Sequence, residues 1–273
     1  MRQVLPNITS PIIAARAIAT FCGTALMLVL VAGLTLGEPE RTALAADDTP
    51  VVLELFTSQG CSSCPEADKI LGDIAAMRDD VIALSVHVNY WDYMGWEDPF
   101  ASPATTERQH AYKAAMGLKY VYTPQLVING RRHVVGSERD EIVSRIADAK
   151  AETEVGLAIR ISPMGDGAVR VYVPADDSAT RENKAVIWIV SFDREHRTTV
   201  TAGENAGREL ANHRVVRSFR KLADWQGEAV EIPLSAQELR ASGSDGCAIL
   251  VQAGDGSGAI IGARQIWLDQ GLF

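Results

Sequence analysis

An α/β domain followed by an all-β, antiparallel sandwich-like domain is the fold class this sequence predicts. Three observations carry it. An apolar run, Val51-Val52-Leu53-Glu54-Leu55-Phe56, leads through a short loop into Cys61-Ser62-Ser63-Cys64, and a helix-periodic stretch follows. Strand-like and helix-like segments then keep alternating as far as about residue 152. From about residue 155 onward the helical period fades, and short alternating strands separated by Gly- and Asp-rich turns take over.

The chain has 273 residues and a formal net charge of −9. That acidic balance argues against a nucleic-acid partner, because phosphate binding needs a basic face. Residues 1–45 read as a targeting segment. Arg2 and Arg16 flank an apolar run from Ala17 to Leu36, and Ala43-Leu44-Ala45 supplies an A-x-A cleavage signal. The run is also long enough for an uncleaved inner-membrane anchor. Either way the remainder is expected outside the cytoplasm, in the periplasm or secreted, with no membrane contact once the signal is cleaved. Disulfides persist in such compartments.

The first domain is expected over residues 50–152. Val51 to Phe56 has the near-continuous apolar character of a central strand covered on both faces. Thr57-Ser58-Gln59-Gly60 is a loop. Two helix starts compete after it, one capped by Ser63 with Glu66 as a capping box, the other capped at Cys61. Ala67, Ile70, Leu71, Ile74, Ala75 and Met77 then have helical spacing, and Val81 to Val88 is a second buried strand. An aromatic loop follows, with Tyr90, Trp91, Tyr93, Trp96 and Phe100, which either packs on the domain or lines a groove for a partner. Ser102-Pro103 opens a helix running to about Gly117. Tyr122-Thr123-Pro124 introduces the strand Gln125–Ile128, and Asn129-Gly130 is a hairpin signal. Arg131 to Val135 returns, and a last helix begins near Ser137.

This order, with a Cys-x-x-Cys between strand and helix and a proline before the third strand, is the thioredoxin-like order. The quoted segments also match a longer pattern. Glu54-Leu55-Phe56-Thr57-Ser58-Gln59-Gly60-Cys61-Ser62-Ser63-Cys64-Pro65, Tyr90-Trp91-Asp92-Tyr93, Gly95-Trp96 with Asp98-Pro99-Phe100, and Tyr122-Thr123-Pro124-Gln125 resemble an exported thioredoxin-like family, domain of unknown function 1223. The resemblance implies a thioredoxin-like fold and export, and a cis, site-facing Pro124. It implies no substrate. Thioredoxins usually carry Trp before the first Cys and Gly-Pro between the two. Here Gly60 and Ser62-Ser63 take those places, so a general reductase role does not follow.

The chemistry expected of the motif is thiol–disulfide exchange with protein thiols or disulfides and a redox partner protein. A helix N-terminus favours the thiolate. Cys61, on the loop side, is expected to attack, and Cys64 to resolve the mixed disulfide or pair with Cys61. Thr123 and Pro124 are the candidate substrate-binding residues, the Thr123 backbone pairing with an extended peptide. Asp92 is a candidate proton shuttle, with His87 near it at the end of the second strand. Glu66 and Asp68 oppose a second negative charge. No cofactor is implied and no metal is assigned. Zinc lacks a second ligand pair. Copper held by the two thiolates with His87 or His133 stays open as an alternative, as does a redox-idle binding module with a structural Cys61–Cys64 disulfide.

The second domain is expected over residues 155–273, with strands near 157–161, 169–173, 185–190, 215–219, 229–232, 247–251 and 259–267, and one helical turn at 235–239. Cys247 lies in an apolar run and reads as a core residue, with a third redox thiol as the alternative. Arg208, Arg214, Arg217, Arg220 and Lys221 form a basic cluster, either a solvated face or a binding surface.

Overall fold

The computed structural model describes residues 49–152, 156–176, 184–240 and 243–269. Residues 1–45, expected to be a targeting segment, lie outside them. In chain order the elements are β1 (Val51–Thr57), α1 (Cys64–Met77), β2 (Val81–His87), a 3₁₀ turn (Asp92–Met94), α2 (Pro103–Ala115), β3 (Gln125–Ile128), β4 (Arg132–Val135) and α3 (Arg139–Glu152). There follow β5 (Arg160–Gly165), β6 (Ala168–Val173), β7 (Ala185–Thr199), β8 (Glu209–Trp225), β9 (Val230–Leu234), α4 (Ala236–Arg240), β10 (Gly246–Ala253) and β11 (Ile260–Trp267).

The local chemistry explains most boundaries. Ser102 caps α2 through a reciprocal capping box with Thr105, and Pro103 occupies the first helical turn, where its missing N–H costs nothing. Asn129 and Gly130 both take positive φ, +47° and +64°, the requirement of a two-residue hairpin turn with the twist of its strands. α1 starts after Ser63, the first of the two expected registers. Ser63 makes no side-chain capping bond, so the expected box with Glu66 does not form.

The expected fold class does not hold. The chain is not a thioredoxin α/β fold with a separate all-β domain. It is a sheet-dominated fold around one eight-stranded mixed sheet of order β11-β10-β7-β8-β2-β1-β3-β4, with four short α-helices among the described residues. Both ends of the chain build that sheet. β2 pairs in parallel with β1 on one side, Val81 with Val51 through His87 with Thr57, and meets β8 at Ser85 and Val215 on the other. β7 and β8 are an antiparallel pair of 15 and 17 residues, far longer than the short strands the alternation suggested. Among the described residues, β5-β6-β9 forms a second sheet.

The physical reason lies in the core. Alternate residues of β1 face opposite sides. Val51, Leu53 and Leu55 pack with Ile70, Leu71 and Ile74 of α1 and Ile142 and Ile146 of α3. Val52 and Phe56 pack with Tyr112 of α2 and continue without a break into Val190, Phe192, Val216, Ala248 and Leu250 from the other half. A strand buried on both faces needs cover on both. An apolar run states that need without naming the segment that meets it.

A buried polar tie crosses the same seam. Arg108 of α2 bonds Glu54 of β1 at 2.6 Å, Tyr112 at 3.0 Å and Gln252 of β10 at 3.1 Å. Tyr112 donates its hydroxyl to Glu54, and the Arg108 guanidinium stacks on Phe219 of β8.

Candidate functional site

Cys61 and Cys64 are joined by a disulfide, with their Cα atoms 5.4 Å apart. It sits at the start of α1, where the C-terminal ends of the parallel strands β1 and β2 converge. Cys61 is 1% exposed and Cys64 0%, while Ser62 and Ser63 are exposed. The motif therefore shows its serines to solvent and hides its sulfurs. Ser63 Oγ lies 3.3 Å from Cys61 Sγ.

The loop before the motif is held from several directions. The Gln59 N–H donates to Asp98 Oδ2 at 2.8 Å. The Gln59 side-chain amide donates to Asn212 Oδ1 at 2.8 Å and accepts from Trp96 Nε1 at 3.1 Å. The Gly60 N–H donates to Ser58 Oγ at 3.1 Å. A Cβ on Gly60 would stand 3.1 Å from Trp91 Cβ, so the absent side chain lets the aromatic loop close on the motif. The expected packing of that loop is found for Trp91 and Trp96. Tyr93 is 79% exposed.

A buried titratable cluster joins α1, the end of β2 and the aromatic loop. Asp68, four residues after Cys64 and so one turn along on its helix face, is buried. It accepts from Thr57 Oγ1 at 2.9 Å and Ser85 Oγ at 3.3 Å. Burial raises its pKa, and His87 and its hydrogen bonds offset only part of that. His87 Nδ1 lies 2.7 Å from Asp98 Oδ2, with neither side chain exposed. Burial alone would lower the His87 pKa, but the Asp98 and Asp68 carboxylates outweigh it and raise it. Burial likewise pushes Asp98 up, and the His87 charge with the Gln59 and Phe100 N–H groups brings it below the usual range. His87 Nε2 is buried and has no hydrogen-bond partner.

Thr123 meets the aromatic loop that closes on Gly60. Their peptide bond is cis, and Thr123 Oγ1 accepts from Trp91 Nε1 at 2.8 Å. Pro124 closes on α1 over Gly136, where a Cβ would fall 2.7 Å from Leu55 Cδ1 and 3.1 Å from the Cβ atoms of Ala67 and Pro124. Asp92 belongs to the 3₁₀ turn, partly exposed, and accepts from the Asp98 N–H at 3.3 Å. Burial raises its pKa. Glu66 is exposed. His133 lies on β4, bonded to Tyr122 at 2.8 Å. Cys247 is buried on β10, and burial pushes its thiol up to about 12. The basic cluster is divided. Arg220 faces Glu238, Lys221 binds Asp224, Arg217 lies over Phe100, and Arg214 donates to Ala75 O at the end of α1.

Sequence reading missed the roles of Asp68, Asp98 and Asn205. The signal for Asp68 was present in the spacing of four from Cys64, which places both on one helical face. Asn205 carried no local signal. It stands in the β7–β8 turn, wholly buried, and donates to both Gln59 O and Cys61 O at 2.9 Å.

A crystal structure of a structural-genomics protein from Agrobacterium tumefaciens is similar to this chain. The two share 34% identity over 81% of this chain and 95% of the other, with a TM-score of 0.70. The chain matches no curated protein. Residues 52–252, which span the disulfide, the buried cluster and Asn205, match the family described as protein of unknown function (DUF1223), and the chain belongs to that family.

Proposed function

We propose that this protein exchanges disulfides with protein thiols through Cys61 and Cys64, outside the cytoplasm. The observation that carries the reading is the buried Asp68–His87–Asp98 cluster one helical turn below Cys64. A purely mechanical staple needs no titratable group beside it, and burying carboxylates and an imidazole is costly. An exchange site needs one, because a thiolate formed at Cys64, out of contact with water, has to gain or lose a proton inside the protein.

In the exchange, an incoming thiolate attacks Cys61 Sγ, the S–S bond breaks, and Cys64 leaves as a thiolate that takes a proton. Asp68 is the group placed to carry that proton. A second substrate thiol then attacks the mixed disulfide, releasing Cys61. The substrate leaves oxidised and the protein dithiol reduced by the same two electrons. The reverse sequence uses Cys61 as attacking thiol and Cys64 as resolving thiol. Thr123, beside the cis-Pro124, offers its backbone to an extended substrate. Asp92, partly exposed and bonded to the Asp98 N–H, is the candidate for passing protons between the site and solvent. Export is supported by Arg2 and Arg16, the apolar run of residues 17–36 and Ala43-Leu44-Ala45.

The test is a trap. Cys64→Ala is expected to accumulate mixed disulfides through Cys61 in periplasmic extract, read by non-reducing gels and mass spectrometry. A clean absence of adducts counts against exchange. The burial of both sulfurs favours a second reading, an inert structural disulfide. A reduction potential below about −300 mV is the outcome that selects it.

A further inference from the structure

The β7–β8 turn, residues 200–208, reaches the disulfide from the opposite end of the sequence. Asn205 bonds Cys61 O across 144 positions, and the Ser62 N–H donates to Glu204 Oε2 at 2.9 Å across 142. The turn is a closed unit. Val200 N donates to Arg208 O at 2.9 Å, Gly207 N to Val200 O at 2.8 Å, and Arg208 Nη1 to Asn205 Oδ1 at 2.6 Å. Gly203, at φ +71°, meets the aromatic loop, where a Cβ would lie 3.5 Å from Trp96 Cβ. Two loops distant in sequence thus close over one backbone turn, and Cys61 retains only 1% of its surface.

We propose that Glu204 and Asn205 form a gate on Cys61 that holds back small thiols and yields to an extended polypeptide thiol. The proposal rests on the exchange reading above and adds the means of selection. Attack on a disulfide needs the thiolate to approach Cys61 Sγ in line with the S–S bond, from the side away from Cys64. In this gate the turn, held on the Cys61 O and the Ser62 N–H, closes that line and lifts to open it. Lifting it removes the Asn205 donor from Gln59 O and Cys61 O, leaving Cys61 O only the Cys64 N–H, and removes the Glu204 acceptor from the Ser62 N–H. A small thiol offers nothing in return. An extended peptide carries the N–H and C=O groups that replace those bonds as it enters. Glu204 is exposed, so it reports on the gate without a part in the core.

The experiment measures the rate at which dithiothreitol reduces the oxidised protein, followed by quenched alkylation. Glu204→Ala removes the bond from Ser62. Glu204→Gln removes the charge and keeps an acceptor oxygen. Asn205→Ala removes the bonds to both carbonyls. Glu204→Ala and Asn205→Ala are expected to be reduced about tenfold faster than the parent, a difference of about 1.4 kcal/mol in the barrier. Glu204→Gln is expected to stay near the parent rate.

Equal acceleration in Glu204→Ala and Glu204→Gln, erased by high salt, would mean simple repulsion of the thiolate and overturn the gate. Identical rates in all four proteins overturn the gate and leave exchange standing. A disulfide that none of them gives up without denaturant overturns both.

Discussion

His87 Nδ1 and Asp98 Oδ2 stand 2.7 Å apart with no solvent at either side chain. The pair links the end of β2 to the aromatic loop, and the same Asp98 oxygen receives the Gln59 N–H two residues before Cys61. Its titration therefore bears on stability and on the site together. His87 has a raised pKa, so the folded state holds a proton that the unfolded chain releases near 6.5. That contribution is full below 6.5 and is lost as pH climbs through the raised value. Asp98 has a lowered pKa, so its contribution is present above the unfolded value of 3.8 and is lost as pH falls through the lowered one. Thermal unfolding across pH is expected to show His87-dependent stability declining above about pH 6.5. His87→Gln should flatten that decline, and an unchanged slope counts against the pair.

Removing Asp98 takes away the hydrogen-bond partner of the buried His87 Nδ1 and the acceptor of the Gln59 and Phe100 N–H groups. Asp98→Ala is expected to cost about 3–5 kcal/mol in urea unfolding. A loss of less than about 1 kcal/mol, the range of exposed ion pairs, would show that the pair carries no such weight.

Asp68→Asn keeps the shape of the side chain and its place among Thr57 and Ser85. It removes the carboxyl group proposed to carry the proton of Cys64. The expected result is a folded protein whose exchange slows about 100-fold, with the pH dependence of the Cys64 step displaced. Stopped-flow rates over a pH series are the measurement. An unaltered pH profile would reduce Asp68 to a structural role.

Cys247 is expected to be chemically silent. With its thiol pushed up to about 12, the thiolate is scarce near neutrality. After reduction, native alkylation followed by mass spectrometry should label the Cys-x-x-Cys pair and leave Cys247 untouched until the protein is unfolded. Native labelling of Cys247 at a comparable rate would contradict its burial.

Gly130→Ala probes the hairpin and the seam together. Gly130 has φ +64°, and a Cβ there would lie 2.4 Å from Gly258 O of the β10–β11 turn. The backbone preference alone costs about 1–2 kcal/mol, and the clash adds to it. Chemical unfolding is expected to show a loss of at least about 2 kcal/mol. A neutral effect would mean that this turn moves freely.

The amino-acid sequence by itself determined the local elements and one part of the site. Ser102-Pro103, Asn129-Gly130 and the apolar runs of β1 and β2 act within a few residues of themselves, so their outcome is written locally. The spacing from Cys61 to Cys64 and from Cys64 to Asp68 is of the same kind. The tertiary structure alone decided which strands became neighbours. β2 shows two apolar faces and a free edge in the sequence, and many segments satisfy that description; packing volume and hydrogen-bond register selected β8. That one pairing overturned the two-domain expectation. The pairing of β7 with β8 out to Thr199 and Glu209 carries their turn to Cys61, where Asn205 meets the Gln59 and Cys61 carbonyls. No periodicity near residue 205 encodes that meeting, because it depends on the summed geometry of a whole sheet.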